Sequence, residues 1–287
     1  MNETALKERL KVVAKDKDVL FNVVWKQLLL ERFLARLSRS KHNEHFIFKG
    51  GMLLSQRIKI GRETTDLDFL MTRLKGEAPA IESAFREIIT VSNSDGFTFT
   101  WNAVSELTQP HMEYPGFRVN LNVALGKMKD KIQIDIGIGD AVEPVEEQFH
   151  PFEYKGKPLF AGEITLLTYP VETIFAEKLE AIVSKGGPNS RMKDYHDTLL
   201  MLREPGLISA SALRASIGAT FRYRSTTLSL PIVFTAEEIV KLEASWVQHL
   251  TRIAKFREQL RMPTTIQDVL AEINAWLSAN SVEEVKL

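Results

Sequence analysis

Apolar residues recur near a helical period through the first part of the chain, at Leu6, Leu10, Val13, Val19, Val23, Val24, Leu28, Leu29 and Phe33. The spacing predicts amphipathic helix from Asn2 to about Ser40. Phe46-Ile47-Phe48 reads as a short buried strand ended by Gly50-Gly51, and Met52 to Ile60 as a short helix after it. The period then falls to two. Asp66 to Thr72 puts Leu67, Phe69 and Met71 on one face and Asp66 and Asp68 on the other, and 78–92 returns to helix. Phe97 to Trp101, Phe117 to Val123 and Lys131 to Gly139 alternate again. In the last of these Ile132, Ile134, Ile136 and Ile138 oppose Gln133, Asp135, Gly137 and Gly139. Strands with one apolar face predict a sheet backed by helices on one side and open on the other. The open face carries the unusual residues.

Residues 140–163 read as an irregular connector holding six acids (Asp140, Glu143, Glu146, Glu147, Glu153, Glu163) and two lysines. From Pro170 the pattern is almost entirely helical, over 170–185, 191–203, 208–217, 235–260 and 265–279. The expected fold class is α+β: a mixed sheet backed by helices, followed by a C-terminal helical domain. The expected division is 1–165 for the first domain with its leading helices and 166–287 for the second.

Composition narrows the chemistry. Basic and acidic side chains number 37 each in 287 residues, which argues against a bulk polycation but leaves room for a local basic groove. Without cysteine there is no disulfide, thiolate metal site or cysteine nucleophile, so a metal would need oxygen or imidazole ligands. The N-terminus mixes acids with bases and has no cleavable apolar core, and no apolar run is long enough to span a membrane. A cytoplasmic protein without a membrane partner is the expectation.

Asp66 and Asp68, at i and i+2 on a strand, point to the same side and suit Mg²⁺, or Mn²⁺ as the alternative. Asp135 can join them from a neighbouring strand. Gly50-Gly51, at a strand-to-helix turn, lets the backbone approach a phosphate beside a helix N-terminus. Lys178 falls on the apolar stripe of Val171, Phe175 and Ile182, and a lysine facing inward needs a partner. That partner is a triphosphate or a carboxylate such as Asp194, and a plain Lys178–Asp194 ion pair stays open. Asp197, four residues after Lys193, has the spacing of a helical salt bridge.

These residues resemble the nucleotidyltransferase pattern of a Gly-Gly or Gly-Ser turn, an Asp-x-Asp pair and a later third carboxylate. Four ordered blocks narrow the resemblance to the AbiEii/AbiGii (MenT-like) toxin family: Phe48 to Leu54, Arg62 to Phe69, Pro170 to Ala181 around Lys178, and Arg191 to Asp197. The gap between glycines and aspartates is slightly longer than usual for the superfamily. The resemblance implies a nucleotidyltransferase fold and the transfer of a nucleoside monophosphate from an NTP to an acceptor hydroxyl. It implies Lys49, Gly50, Gly51, Arg62 and Lys178 as nucleotide-binding residues. Asp66, Asp68, Lys178 and Asp194 would be catalytic, with Asp66, Asp68 and Asp135 on the metal. It further implies a tRNA 3′ end as acceptor, a block of translation, and a cognate antitoxin from a neighbouring gene.

Two other readings stay open: an NTP- and metal-binding regulator without transfer activity, and a transferase acting on a small-molecule or protein hydroxyl. His196-Asp197 is the dipeptide of metal phosphohydrolases, but His111 and His150 lie in turn-like segments. Residues 206–262 hold eight Lys/Arg against four Glu, making Arg252, Lys255, Arg257 and Arg261 candidates for a nucleic-acid surface, with a solvated helix face as the plainer explanation.

Overall fold

The computed structural model describes residues 2–107, 116–139, 142–280 and 282. The chain divides into two compact units. The first comprises residues 1–56, 63–140 and 144–169; the second comprises 57–62, 141–143 and 170–287.

The first unit opens with α1 (Glu3–Asp16), whose first turn is capped by the Asn2 side chain accepting from the Ala5 amide (2.8 Å), and α2 (Phe21–Ser38). Then follow β1 (Phe46–Lys49), α3 (Gly50–Arg57), β2 (Asp66–Met71) and α4 (Ala78–Thr90). Next come β3 (Thr98–Leu107), β4 (Gly116–Leu125) and β5 (Met128–Ile138). β6 (Val145–Gln148), β7 (Glu153–Tyr154), β8 (Lys157–Pro158) and β9 (Thr165–Thr168) complete the unit. Seven strands form one mixed sheet in the order β3-β4-β5-β2-β1-β9-β6, with β2–β5 and β1–β9 parallel and the remaining pairs antiparallel.

Register arranges the two faces. Phe48, Phe69, Ile136 and Phe117 are successive partners across β1, β2, β5 and β4, and all are buried. Phe33 of α2 and Phe85 of α4 stack at 5.6 Å, and Phe85 meets Phe46 edge-on at 5.4 Å, so these helices cover the apolar face. Beneath it lies a buried ion pair in which Arg36 donates twice to Asp95 (2.8 Å each) and once to the Phe97 carbonyl. Burial opposes the Asp95 carboxylate, but Arg36 outweighs it and holds its pKa below the ordinary value.

The second unit contains α5 (Val171–Lys185), α6 (Met192–Arg203), α7 (Ala210–Tyr223), α8 (Ala236–Arg252), the short α9 (Ala254–Arg257) and α10 (Ile266–Ala279). Gly186, at φ +54°, ends α5, where Lys185-Gly186-Gly187-Pro188 predicts a stop. Thr235 and Glu238 form a reciprocal capping box that starts α8. In the core His196 and His249 form a buried pair: the His249 ring lies 5.3 Å from that of Trp246, and His249 Nε2 is 2.9 Å from His196 Nδ1. His196 Nε2 in turn lies 2.7 Å from the Ile60 carbonyl. A carbonyl only accepts, so His196 carries its proton on Nε2 and its Nδ1 accepts from His249.

Several expectations change. The connector over 140–163 is not irregular: β6 pairs with β9 and β7 with β8. Val145-Glu-Glu-Gln, on the sheet edge, has one apolar residue and hence no alternation to read. The first helix breaks at 17–20, the helix read as 208–217 runs on to Tyr223, and the one read as 235–260 stops at Arg252 before α9.

The histidine pair predicts a pH dependence. Burial lowers the pKa of both rings, that of His249 to about 4 from 6.5. The unfolded chain therefore takes up protons that the folded one refuses, so stability rises with pH between about 4 and 6.5. The slope from His249 is about 1.4 kcal/mol per pH unit, and His196 adds in the same direction. Urea unfolding across that range should show the rise, and His249→Gln should flatten it.

Candidate active site

Pairing in register sets four charged residues side by side on the open face: Lys49 of β1 opposite Asp68 of β2, Asp68 opposite Asp135 of β5, and Asp135 opposite Arg118 of β4. Asp66 begins the next row, facing Gln133 and, beyond it, Asn120. These side chains are half-buried, whereas Leu67 and Phe69 between them are fully covered. The alternation read from the sequence thus becomes a polar row beside a greasy one.

Gly50 shapes one end of the row. It has φ +79°, and a β-carbon added there would lie 2.0 Å from Asp68 Oδ2. Only glycine allows both the backbone conformation and the approach of that carboxylate to the start of α3. The Lys49 ammonium lies 4.7 Å from the centre of the Tyr169 ring and 3.3 Å from its hydroxyl. At the other end the Arg118 guanidinium donates to both oxygens of Asp135 at 2.8 Å each. Arg118 and Tyr169 were missed from sequence. Arg118 sits at a polar position of an alternating strand, but only the β4–β5 register reveals its partner.

Asp66 and Asp68 offer hard oxygens on one side of one strand, a donor set that fits Mg²⁺. Asp135 is adjacent in register, with its oxygens engaged by Arg118. Among the described residues no three His, Asp or Glu side chains converge closely enough to hold a metal ion.

The second unit holds a separate cluster. Lys178, on α5, is buried and contacts Asp197 Oδ2 (2.7 Å) and Asp194 Oδ1 (3.3 Å) of α6. Arg62 donates to both Asp197 oxygens (2.8 and 2.6 Å), and Arg191 Nε lies 2.9 Å from Asp194 Oδ2. Burial opposes both charges of the inner pair. The carboxylates nevertheless hold the lysine pKa above its ordinary value, and Lys178 and Arg62 hold Asp197 well below the usual carboxylate range.

The expected Lys193–Asp197 bridge is therefore overturned. Asp197 is fully buried between Arg62 and Lys178, whereas Lys193 is exposed. Four-residue spacing puts two residues on one helix face, but α6 turns Asp197 into the core. The HD dipeptide is likewise absorbed into packing, through Ile60 and His249; His111 lies outside the described residues. In the basic stretch Arg224 pairs with Glu177 (3.0 Å) and Glu180 (2.8 Å), and Lys241 with Glu237, whereas Arg252 is exposed.

A family model described as nucleotidyl transferase AbiEii toxin, type IV toxin–antitoxin system, matches residues 32–272, well over half of the chain. The protein is a nucleotidyltransferase. More particularly, it belongs to the AbiEii toxin family, which implies an NTP substrate and a cognate antitoxin. Two solved structures from Helicobacter pylori are similar. One, described as a candidate nucleotidyltransferase, is 14% identical with a TM-score of 0.48, covering 93% of this chain and 98% of its own. The other, JHP933, is 13% identical with a TM-score of 0.48, covering 92% and 94%. No curated protein matches the chain.

Two variants probe these contacts. Gly50→Ala should displace Asp68, and it should reduce nucleotidyl transfer far more than it lowers the unfolding midpoint. Asp197→Asn removes the buried carboxylate that Lys178 and Arg62 share, breaking a buried ion pair, and should cost about 3–5 kcal/mol in urea unfolding. Because the folded-state pKa of Asp197 is depressed, its stabilisation is present above the unfolded value near 4 and is lost as pH falls below it. The variant should therefore lose part of the acid-side decline.

Proposed function

We propose that the protein is a metal-dependent nucleotidyltransferase toxin that transfers a nucleoside monophosphate from an NTP to the 3′ hydroxyl of a tRNA, blocking translation. The observation that supports this best is the row Lys49–Asp68–Asp135–Arg118, with Asp66 beside it and Gly50 opening the backbone to the Asp68 carboxylate. Bound by Asp66 and Asp68, Mg²⁺ or Mn²⁺ would offset the charge of the triphosphate and polarise its α-phosphorus. Lys49 and the first backbone amides of α3 are suited to phosphate oxygens.

The helical unit supplies positive charge. Lys178 and Arg62 share the Asp197 carboxylate, and Arg191 holds Asp194 beside the same ammonium. In this reading Lys178 balances charge developing on the pyrophosphate. Asp194 holds the ammonium, as does Asp197, which the sequence reading left outside the site. Arg62, assigned to the nucleotide from sequence, serves through Asp197. The acceptor oxygen bonds to the α-phosphorus, the α–β bridging bond breaks, pyrophosphate leaves, and the hydroxyl proton passes to a carboxylate of the row or to water. The protein would act in the cytoplasm.

Incubation with each α-labelled NTP and total cellular RNA tests the reading. A tRNA-sized band should be labelled, and Asp66→Ala/Asp68→Ala should reduce labelling at least about 100-fold. A double variant that still labels the acceptor at the wild-type rate would overturn it, and label only on protein or a small molecule would reassign the acceptor. Induced expression should arrest growth, with Asp68→Ala and the neighbouring antitoxin gene each relieving the arrest.

A further inference from the structure

The open face of β3, β4 and β5 continues beyond the carboxylate rows. Moving along β5 from Asp135, the residues on this face are Gln133, Lys131 and Lys129. Their partners on β4 are Arg118, Asn120, Asn122 and Ala124, and β3 adds Ser105, Thr100 and Thr98. Lys129, Lys131, Thr98, Thr100 and Ser105 are exposed, and Arg118, Asn120, Asn122 and Gln133 are half-buried. The far end forms a groove of about 580 Å³ lined by Thr98, Thr100, Asn122, Lys129 and Lys131, with Asp130 on its rim. Asp130 is already matched by Lys26 at 2.7 Å.

We propose that this face is a track for the backbone of an acceptor RNA strand, leading from the Lys129–Lys131 groove to the Asp66 and Asp68 rows. The inference rests on RNA being the acceptor. First, the charge is complementary to a polyanion: Arg118, Lys129 and Lys131 share the three strands' open face with one carboxylate, Asp135, which Arg118 neutralises. Second, the length fits: the six residue steps from Asp135 to Lys129 span about 20 Å at about 3.3 Å each, room for several nucleotides.

Third, the chemistry is that of a sugar–phosphate backbone and not of bases. Amides and hydroxyls on this face can pair with phosphate oxygens and 2′-hydroxyls. The residues of β3–β5 on it include no aromatic ring for stacking, since Trp101, opposite Leu121, faces the apolar side. The track would hold a strand largely without regard to sequence, leaving its terminal hydroxyl at the carboxylates.

Binding and transfer measured together test this, using an RNA of about ten nucleotides and a dinucleotide as acceptors. In Lys129→Glu/Lys131→Glu, the KM for the longer RNA should rise several-fold. The wild-type preference for the longer acceptor should shrink, and the slope of log affinity against log salt should fall by about 1.4, at about 0.7 per lost phosphate contact. Asn122→Ala, which keeps the charge, should weaken binding without changing the slope.

Transfer by the wild type with unchanged KM and salt slope in the double variant would overturn the track and leave the transferase reading intact. So would loss of RNA affinity in Arg252→Glu/Arg257→Glu but not in the β5 variant. Lysine-dependent RNA binding without transfer would sustain the track and sink the reading of the activity. If charge reversal abolishes only self-association in light scattering, the face belongs to a second copy and the proposal fails.

Discussion

Phe48, Phe69 and Phe117, packed beneath the sheet, each have one residue along the strand a charged side chain on the opposite face: Lys49, Asp68 and Arg118. The pairing of β2 with β5 therefore has two consequences. It brings Phe69 beside Ile136 in the core and Asp68 beside Asp135 above it. A slip of one residue would bury carboxylates and expose phenyl groups, so the hydrophobic burial that stabilises the sheet also holds the acidic rows in place. At about 25 cal/mol per Å² of apolar surface, burial of the phenylalanines outweighs any preference the carboxylates have for a different alignment. Site geometry here is a by-product of core packing.

That same register creates an electrostatic difficulty, because like charges opposite one another on adjacent strands destabilise a sheet. The row answers it by ending in cations, Lys49 on one side and Arg118 on the other. These groups are half-exposed, so water screens the remaining repulsion. The helical unit meets charge differently. Lys178 and Asp197 are buried, where an unpaired ion would be prohibitive, and their mutual contact, with Arg62 on Asp197, favours the charged form of both. A solvent-accessible acidic row can take up and release a cation cheaply, whereas a buried, fully partnered lysine keeps its charge through a reaction cycle. In the proposed reaction the first would serve a metal and the second a leaving group.

Much of this could be read in the chain before any coordinates. Period-two alternation marked β2, β4 and β5 and put Asp66, Asp68 and Asp135 on one face, because side-chain direction in a strand depends only on local sequence. The inward position of Lys178 followed from its place on the α5 stripe. What alternation cannot supply is register between strands far apart in sequence, so the Arg118–Asp135 pair stayed hidden although Arg118 lay on the polar face. Helical spacing misled at Asp197, since i,i+4 geometry permits a Lys193 bridge but does not say which way the face turns. The edge strand β6 escaped because Val145-Glu-Glu-Gln has no second apolar residue to mark a period. Tyr169, next to Pro170, carried no periodic signal at all.

A formal charge of zero gives no hint of these local fields. On the sheet's open face the sign changes along β5, from Asp135 beside Asp68 to Lys131 and Lys129 at the other end. A polyanion near such a surface gains at the basic end and is repelled at the acidic one until a cation is bound there. With the proposed RNA acceptor, a binding order would follow: metal and triphosphate would have to offset the carboxylates before the terminus of the strand could settle beside them. Under the proposed reaction, charge segregated along one strand of a neutral protein would make acceptor entry conditional on a loaded site, with no moving part required.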